Sequence, residues 1–373
     1  MIIVFIMDSY DVSKNGTTMT ARRFAEYLRL QGHTVRVVST GIPEPDKYLV
    51  PVRRIPIVNY FSTKQSFTFA KPDDRVLRRA LQGADVAHLF LPLALEKHAL
   101  RIARELGVPC CAAFHLQPEN ITYNIRLGHF KWLNDRIYGL FLRSFYRNFS
   151  HIHCPSNFIA QQLRQHGYQA KLHVISNGIT ADFYPEHKQA ADGLFHILMT
   201  GRLSPEKRQD LLIDAVLHSA HREKIQLHFA GTGPREKALR RRGSKLPHPP
   251  TFGFYKKAQL IELMHHCDLY VHAADAEIEA IACLEAVACG LVPVISDSKQ
   301  SATSQFALDG RGTFRAGDAK DLAKKIDYWI EHPAERGQAS KDYALSAQDY
   351  RIEQCVHAAE RMFLEAIDDA RRG

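Results

Sequence analysis

No apolar run in this chain of 373 residues approaches the roughly 20 residues that a membrane-spanning helix requires. The opening MIIVFIMDSYD is apolar but short, has no basic leading region, and soon meets Asp8 and Asp11. It reads as a buried first strand and not as a secretion signal, so the expected location is cytoplasmic. Low-complexity tracts are absent. The seven cysteines are odd in number and show neither a CxxC pair nor zinc-knuckle spacing. That argues against a disulfide framework and favours small buried hydrophobes in a reducing compartment. The stretch after the first strand, DSYDVSKNGTT, lacks the GxGxxG spacing of a dinucleotide-binding turn, which argues against a dehydrogenase.

With 45% hydrophobic and 24% charged residues, the composition is that of a soluble globular protein and not of a disordered one. The length suits two α/β domains. A formal charge of +9 favours anionic partners without choosing among phosphorylated small molecules, an anionic membrane or nucleic acid.

Strand and helix patterns alternate through both halves. IIVFIM, TVRVVST and the strands ending VAHLF and CCAAF alternate with amphipathic helical stretches, several of them closed by glycine. FHILMT, IQLHFAG, DLYVHAA and LVPVIS do the same in the second half. This grammar predicts parallel sheets covered by helices on both faces. The expected domains are 1–175, joined by a final helix over 349–373, and 176–348. The apolar points of that helix are Tyr350, Ile352, Cys355, Val356, Met362, Phe363 and Ile367.

Chemistry concentrates in the second half. In GRLSPEKRQDLLIDA, Arg202 and Lys207 flank the start of a helix, where unpaired N–H groups and the dipole attract anions. A guanidinium fork with an ammonium suits a diphosphate; Ser204 as a helix cap beside solvated basic residues is an equally good reading. FAGTG permits a tight turn or a close backbone approach at Gly231 and Gly233. In ADAEIEAIACLEAVACGLVPVIS, Glu277 falls where a strand gives way to a helix, and Glu285 lies within that helix among apolar neighbours. A carboxylate in such surroundings needs a partner, and at the carboxyl edge of a parallel sheet it can accept paired hydrogen bonds from vicinal hydroxyls.

GRLSPEK, followed by Glu-x7-Glu and LEAVACGLVPVIS, resembles the retaining GT-B glycosyltransferases of family 4. The resemblance spans nearly the whole chain and implies two Rossmann-like domains whose parallel sheets face each other across a cleft. It implies Arg202 and Lys207 as diphosphate ligands, Glu285 as the ribose ligand, and Glu277 with Ile281 beside the donor sugar and its phosphates. His115 matches the histidine near the donor sugar. Gly16 matches the loop near phosphates and acceptor, and Gly253 and Phe254 match the stretch cradling the nucleobase. Relatives often carry glycines just after the first glutamate; here Ile278, Glu279 and Ala280 stand there. The chain has no Asp-x-Asp triplet, so the fixed cations are expected to act without a metal or other cofactor. The donor implied is a nucleoside diphosphate hexose, most commonly of uridine.

FHLQPEN and EIEAIACLEA also look like bacterial membrane-associated transferases that glycosylate diacylglycerol. The segment NIRLGHFKWLNDRIYGLFLRSFYRNF interleaves Arg126, Lys131, Arg136, Arg143 and Arg147 with aromatic residues. It reads either as a membrane-interface helix or as a helix packed on its aromatic side. A lipid acceptor and peripheral contact with the inner face of an anionic membrane are therefore expected, with a saccharide acceptor as the alternative. An epimerase or a phosphorylase on the same fold is a further one. The run Arg240, Arg241 and Arg242 reads as a solvated helix end, and no nucleic-acid partner is expected.

Overall fold

The computed structural model describes residues 1–11, 16–53, 68–124, 127, 130–188 and 190–372. By its internal contacts the chain forms two units. The first comprises Met1–Pro118, Phe130–Gly178 and Ile352–Gly373; the second comprises Glu119–His129 and Ile179–Arg351.

The first unit is built on a parallel sheet of β1 (Ile2–Ser9), β2 (Thr34–Thr40), β3 (Lys47–Leu49), β4 (Val86–Leu89), β5 (Cys110–Ala113), β6 (His151–Cys154) and β7 (Lys171–Val174). Their spatial order is β3-β2-β1-β4-β5-β6-β7. The unbroken apolar run of β1 is buried throughout from Ile3 to Met7, as expected of a central parallel strand covered on both faces. The helix Gly16–Leu30 buries Ala21, Phe24, Ala25 and Leu28, which recur at helical spacing. The final helix, Ile352–Arg372, buries Ile352, Cys355, Val356, Ala359, Met362, Phe363, Ala366 and Ile367. Both helices join β1 and β2 in one apolar core.

The second unit repeats the plan with β8 (Phe195–Thr200), β9 (Ile225–Ala230), β10 (Thr251–Gly253), β11 (Leu269–His272), β13 (Val292–Ser296) and β15 (Thr313–Phe314). The order is β10-β9-β8-β11-β13-β15, and a short parallel pair, β12 (Ala276–Glu277) with β14 (Gln300–Ser301), lies outside this sheet. In each sheet the strand order reverses beside the first strand of that unit. The reversal opens a crevice beyond the carboxyl ends of β1 and β4, and another beyond β8 and β11; such crevices are where open α/β sheets bind ligands.

Three boundaries differ from the sequence reading. Residues 119–129 group with the second unit and not with the segments around them. Tyr350 lies in a 3₁₀ turn, Ala347–Tyr350, packs edge-on against Phe306 with ring centroids 5.3 Å apart, and precedes the final helix. The stretch read as one helix from Ser204 breaks in two: a 3₁₀ turn at Pro205–Lys207, then a helix at Gln209–His218. Arg208 separates them with a left-handed backbone (φ 55°).

Candidate functional site

The carboxyl edge of the second sheet is closed by loops that approach one another backbone to backbone. The N–H of Gly201 donates to Ala230 O at 2.9 Å, that of Leu203 to Thr232 O at 3.0 Å, and that of Gly231 to Gly253 O at 2.7 Å. A Cβ on Gly231 would lie 1.9 Å from Gly201 O, and one on Gly233 would lie 2.3 Å from Leu203 O. The two glycines of FAGTG therefore permit loop-to-loop contact, and an isolated turn does not account for them.

Because of the break at Arg208, Lys207 does not follow the helix. Its stem passes Gly201, and its ammonium forms a salt bridge with Glu277 Oε1. His272, the last residue of β11, holds the same oxygen through Nε2 at 3.1 Å. A carboxylate only accepts, so His272 donates through Nε2. Its Nδ1 then accepts the Tyr270 hydroxyl at 3.1 Å, and the Tyr270 oxygen lies 3.0 Å from the Thr200 hydroxyl. The result is a directed chain from Thr200 through Tyr270 and His272 to Glu277, met from the other side by Lys207. Burial by itself would raise the Glu277 pKa. The Lys207 charge and the His272 hydrogen bond outweigh it and hold the carboxyl at about 2. Burial pushes His272 below its ordinary value, partly offset by Glu277, so the ring is neutral at physiological pH.

Arg202 is braced differently. Its Nη2 donates to Glu206 Oε1 at 2.8 Å, and the Ser204 hydroxyl donates to the same oxygen at 2.5 Å. Gln209 Nε2 holds Arg202 O at 2.9 Å. Ser204 therefore serves Glu206 and does not cap a helix. Burial raises the Glu206 pKa, but Arg202, Ser204 and Lys207 together bring it below the ordinary carboxylate value. Arg208 reaches Asp275 Oδ2 at 3.1 Å, and the N–H of Asp275 donates to Glu206 O at 2.8 Å. These bonds tie the turn to the strand that carries Glu277.

Glu277 occupies β12. The helix Ile281–Ala288 follows, with Ile281 half-buried in its first turn and Glu285 buried one turn later on the same side. Ala280 caps this helix in the left-handed region (φ 69°, ψ 60°). The backbone shape that glycine would adopt freely is thus kept by a residue that strains to hold it. Gly253 ends β10 against the Tyr255 ring, and Phe254 is 54% exposed. Arg240 lies over the Phe252 ring at 4.5 Å and pairs with Glu236, while Arg242 pairs with Asp214. Two members of the arginine run are thereby engaged.

His115 and Gly16 belong to the first unit. His115 follows β5, stacks on Phe90 with centroids 5.6 Å apart, and meets His153 edge-on at 5.2 Å. Among the described residues neither of its ring nitrogens has a hydrogen-bond partner. Burial, reinforced by His153, pushes its pKa well down. Gly16 opens the helix Gly16–Leu30 at an exposed position where a Cβ would meet nothing. Residues 12–15 beside it, and Arg126, lie outside the described residues.

The sequence reading singled out Arg202, Lys207, Glu277 and Glu285 but missed Glu206, Tyr270, His272 and Asp275. Pro-Glu-Lys hid Glu206 as an ordinary first-turn acid. A histidine ending a strand five residues before Glu277 was the available signal for His272.

A parallel sheet that changes winding direction beside its first strand is the core of a Rossmann-like domain. Two such sheets in one chain form the GT-B architecture. Residues 14–183 match the family model described as Glycosyltransferase Family 4, and residues 181–345 match that of Glycosyl transferases group 1. The chain belongs to this glycosyltransferase family. Over 372 residues it is 25% identical to alpha-monoglucosyldiacylglycerol synthase of Streptococcus pneumoniae, covering 94% of this chain and 83% of that protein. It is 28% identical over 312 residues to a GDP-mannose-dependent alpha-mannosyltransferase of Mycolicibacterium smegmatis, covering 79% of each. Among solved structures, HepE of Anabaena shares the fold with a TM-score of 0.72 at 18% identity, covering 97% of this chain and 98% of that one. A glycosyltransferase of Rickettsia africae does so with a TM-score of 0.73 at 16% identity, covering 98% of each.

Proposed function

We propose that this glycosyltransferase moves a hexosyl group from a nucleoside diphosphate hexose to a hydroxyl of a membrane lipid, diacylglycerol being the first candidate, with retention of the anomeric configuration. The observation that carries the donor side is the Lys207–Glu277–His272 cluster beside Arg202 at the switch point of the second sheet. Lys207 keeps two N–H donors beyond the one aimed at Glu277, and Arg202 is about a third exposed (34%). Held rigid by carboxylates, both cations suit the charge that develops on a departing diphosphate. Breaking the anomeric C–O bond sends its electron pair to the diphosphate. The acceptor oxygen then bonds the same carbon from the same face, and its proton leaves with the diphosphate. Glu277 would receive sugar hydroxyls, Glu285 the ribose, and Phe254 the base. Fixed cations supply the charge that a metal supplies elsewhere, so chelation of divalent ions should leave turnover unchanged.

The lipid acceptor is supported by the helix Lys131–Ser144 and by the diacylglycerol-glucosylating relative. Trp132, Arg136, Leu140 and Arg143 are exposed and spaced three or four residues apart, one mixed apolar and basic stripe. Tyr138 is buried, so the helix also packs on an aromatic side. Among the described residues no helix is long and apolar enough to cross a membrane, and peripheral contact is the mode proposed. The mannosyltransferase relative favours a second reading with a guanosine donor.

A thermal-shift series over nucleoside diphosphates and their hexose conjugates should single out one base, because a ligand at 100 times its Kd adds about 2.7 kcal/mol of stability. Glu285→Ala should weaken that ligand by tenfold or more while the ligand-free protein melts unchanged. Unaltered affinity in this variant would remove the donor assignment. Labelled hexose should appear in diacylglycerol presented in anionic vesicles. Activity confined to soluble sugars, with no vesicle binding at any salt concentration, rejects the lipid acceptor.

A further inference from the structure

The first unit carries a cluster with no part in the chemistry above. His151 opens β6, and His173 lies on the neighbouring strand β7, where the register pairs His153 with His173. His151 and His173 therefore stand on the same side of the sheet, two residues apart in register. Glu365 and Asp369 face them from the final helix, one turn apart on one side. His151 Nδ1 and His173 Nε2 are 2.9 Å apart, and Glu365 Oε2 is 3.9 Å from His173 Nε2. One ligand atom from each of His151, His173 and Glu365 falls within a 4.8 Å set.

From this geometry we propose that His151, His173 and Glu365 form a binding site for a divalent ion of the zinc class, which clamps the end of the final helix to β6 and β7. Three features support it. Two imidazoles and a carboxylate are the ligand types such ions take, with metal–nitrogen distances of about 2.0–2.1 Å, which place two tetrahedral ligand nitrogens about 3.3 Å apart. The present separation of 2.9 Å needs to open only slightly. Asp369 Oδ2 accepts from His151 Nε2 at 3.0 Å, which leaves Nδ1 as the lone-pair nitrogen turned towards the site. A carboxylate on the outer nitrogen of a liganding histidine is the usual second layer of zinc centres. On binding, the proton of His173 Nε2 moves to Nδ1, and one coordination position remains for water.

Lys171 opposes the ion, since its ammonium pairs with Glu365 Oε2 at 2.5 Å. Lys171 is exposed, and its removal should tighten metal binding, whereas a mere surface ion pair would give no such response.

The test uses the full chain, free of any histidine tag and stripped with chelator, titrated with Zn²⁺ by calorimetry and with Co²⁺ by visible absorption. One saturable equivalent is expected, with intense tetrahedral Co²⁺ bands and a raised melting temperature. His173→Gln should abolish the Co²⁺ bands. Asp369→Asn, which leaves all three ligands in place, should weaken Zn²⁺ by 10–100-fold, and Lys171→Ala should strengthen it. Each variant's metal-free melting curve shows whether it is folded, and the exposed positions 171 and 369 can be changed even if position 173 cannot. No saturable equivalent, or Zn²⁺ affinity unchanged in Asp369→Asn and Lys171→Ala, overturns the site. None of these readouts depends on donor, acceptor or turnover.

Discussion

The two sheets share a winding plan and differ at their carboxyl edges. In the second unit the edge keeps charge inside the protein: Glu277 is ionised down to about pH 2 against Lys207. In the first unit burial works against charge. His88, His115 and His153 are all buried with pKa values pushed down by that burial, His153 to about 4. Burial also pushes Asp8, at the end of β1, up to about 6, and pushes its neighbour Glu96 well above the ordinary carboxylate range. The same topology thus holds a paired ionic cluster in one unit and, in the other, neutral histidines beside carboxyls whose ionisation burial opposes.

Removing the cation should break this contrast most severely. Lys207→Ala leaves Glu277 buried without its counter-charge and, on the function proposed above, takes away a donor to the leaving group. We expect kcat for hexosyl transfer to fall about 10²–10³-fold, measured with labelled donor at saturation. A loss under tenfold would mean that Lys207 is only a structural partner of Glu277.

Opposite responses to pH sharpen the same contrast. The folded pKa of Glu277 lies below its unfolded value, so its contribution is present above the ordinary range near 4.5 and is lost as pH falls towards about 2. The folded pKa of Asp8 lies above its unfolded value of 3.8, so its contribution is complete in acid and is lost as pH rises through about 6. Each amounts to at most about 3 kcal/mol. Urea unfolding between pH 4 and 7 should therefore show Asp8→Asn gaining on the parent protein as pH rises, and Glu277→Gln losing ground over the same interval. Parallel curves for parent and variants would show that neither group titrates as described.

The smallest effect tests the strained helix cap. Ala280→Gly should raise stability by about 1 kcal/mol or less, because the left-handed conformation costs about 1–2 kcal/mol and glycine's entropy returns part of the gain. A melting temperature below that of the parent protein would show that the Ala280 methyl, which is buried, matters more than the φ angle.

The architecture was legible because central parallel strands, buried on both faces, are written as unbroken apolar runs such as IIVFIM and LVPVIS. Arg202, Lys207 and Glu277 stood out as charged residues beyond the ends of such runs, and Glu285 as a charge inside an apolar helix. Their partners did not. Tyr270 and His272 sit inside a strand-like string, DLYVHAA, where hydropathy marks burial but cannot say which side chain donates to which. The break at Arg208 was equally hidden, since PEKRQDLLIDA has helical periodicity throughout, and only the left-handed backbone at a non-glycine residue turns Lys207 towards Glu277.

The interrupted course of the chain has a consequence for biosynthesis. Domains generally consolidate as they leave the ribosome, the earlier ones first. Here the first unit lacks the helix that carries Ile352, Val356, Met362 and Phe363 until the whole of the second has been made. The unit whose first strands are made earlier is thus completed only after the other, and a nascent chain halted before residue 352 leaves exposed the apolar groove that the helix Ile352–Arg372 covers.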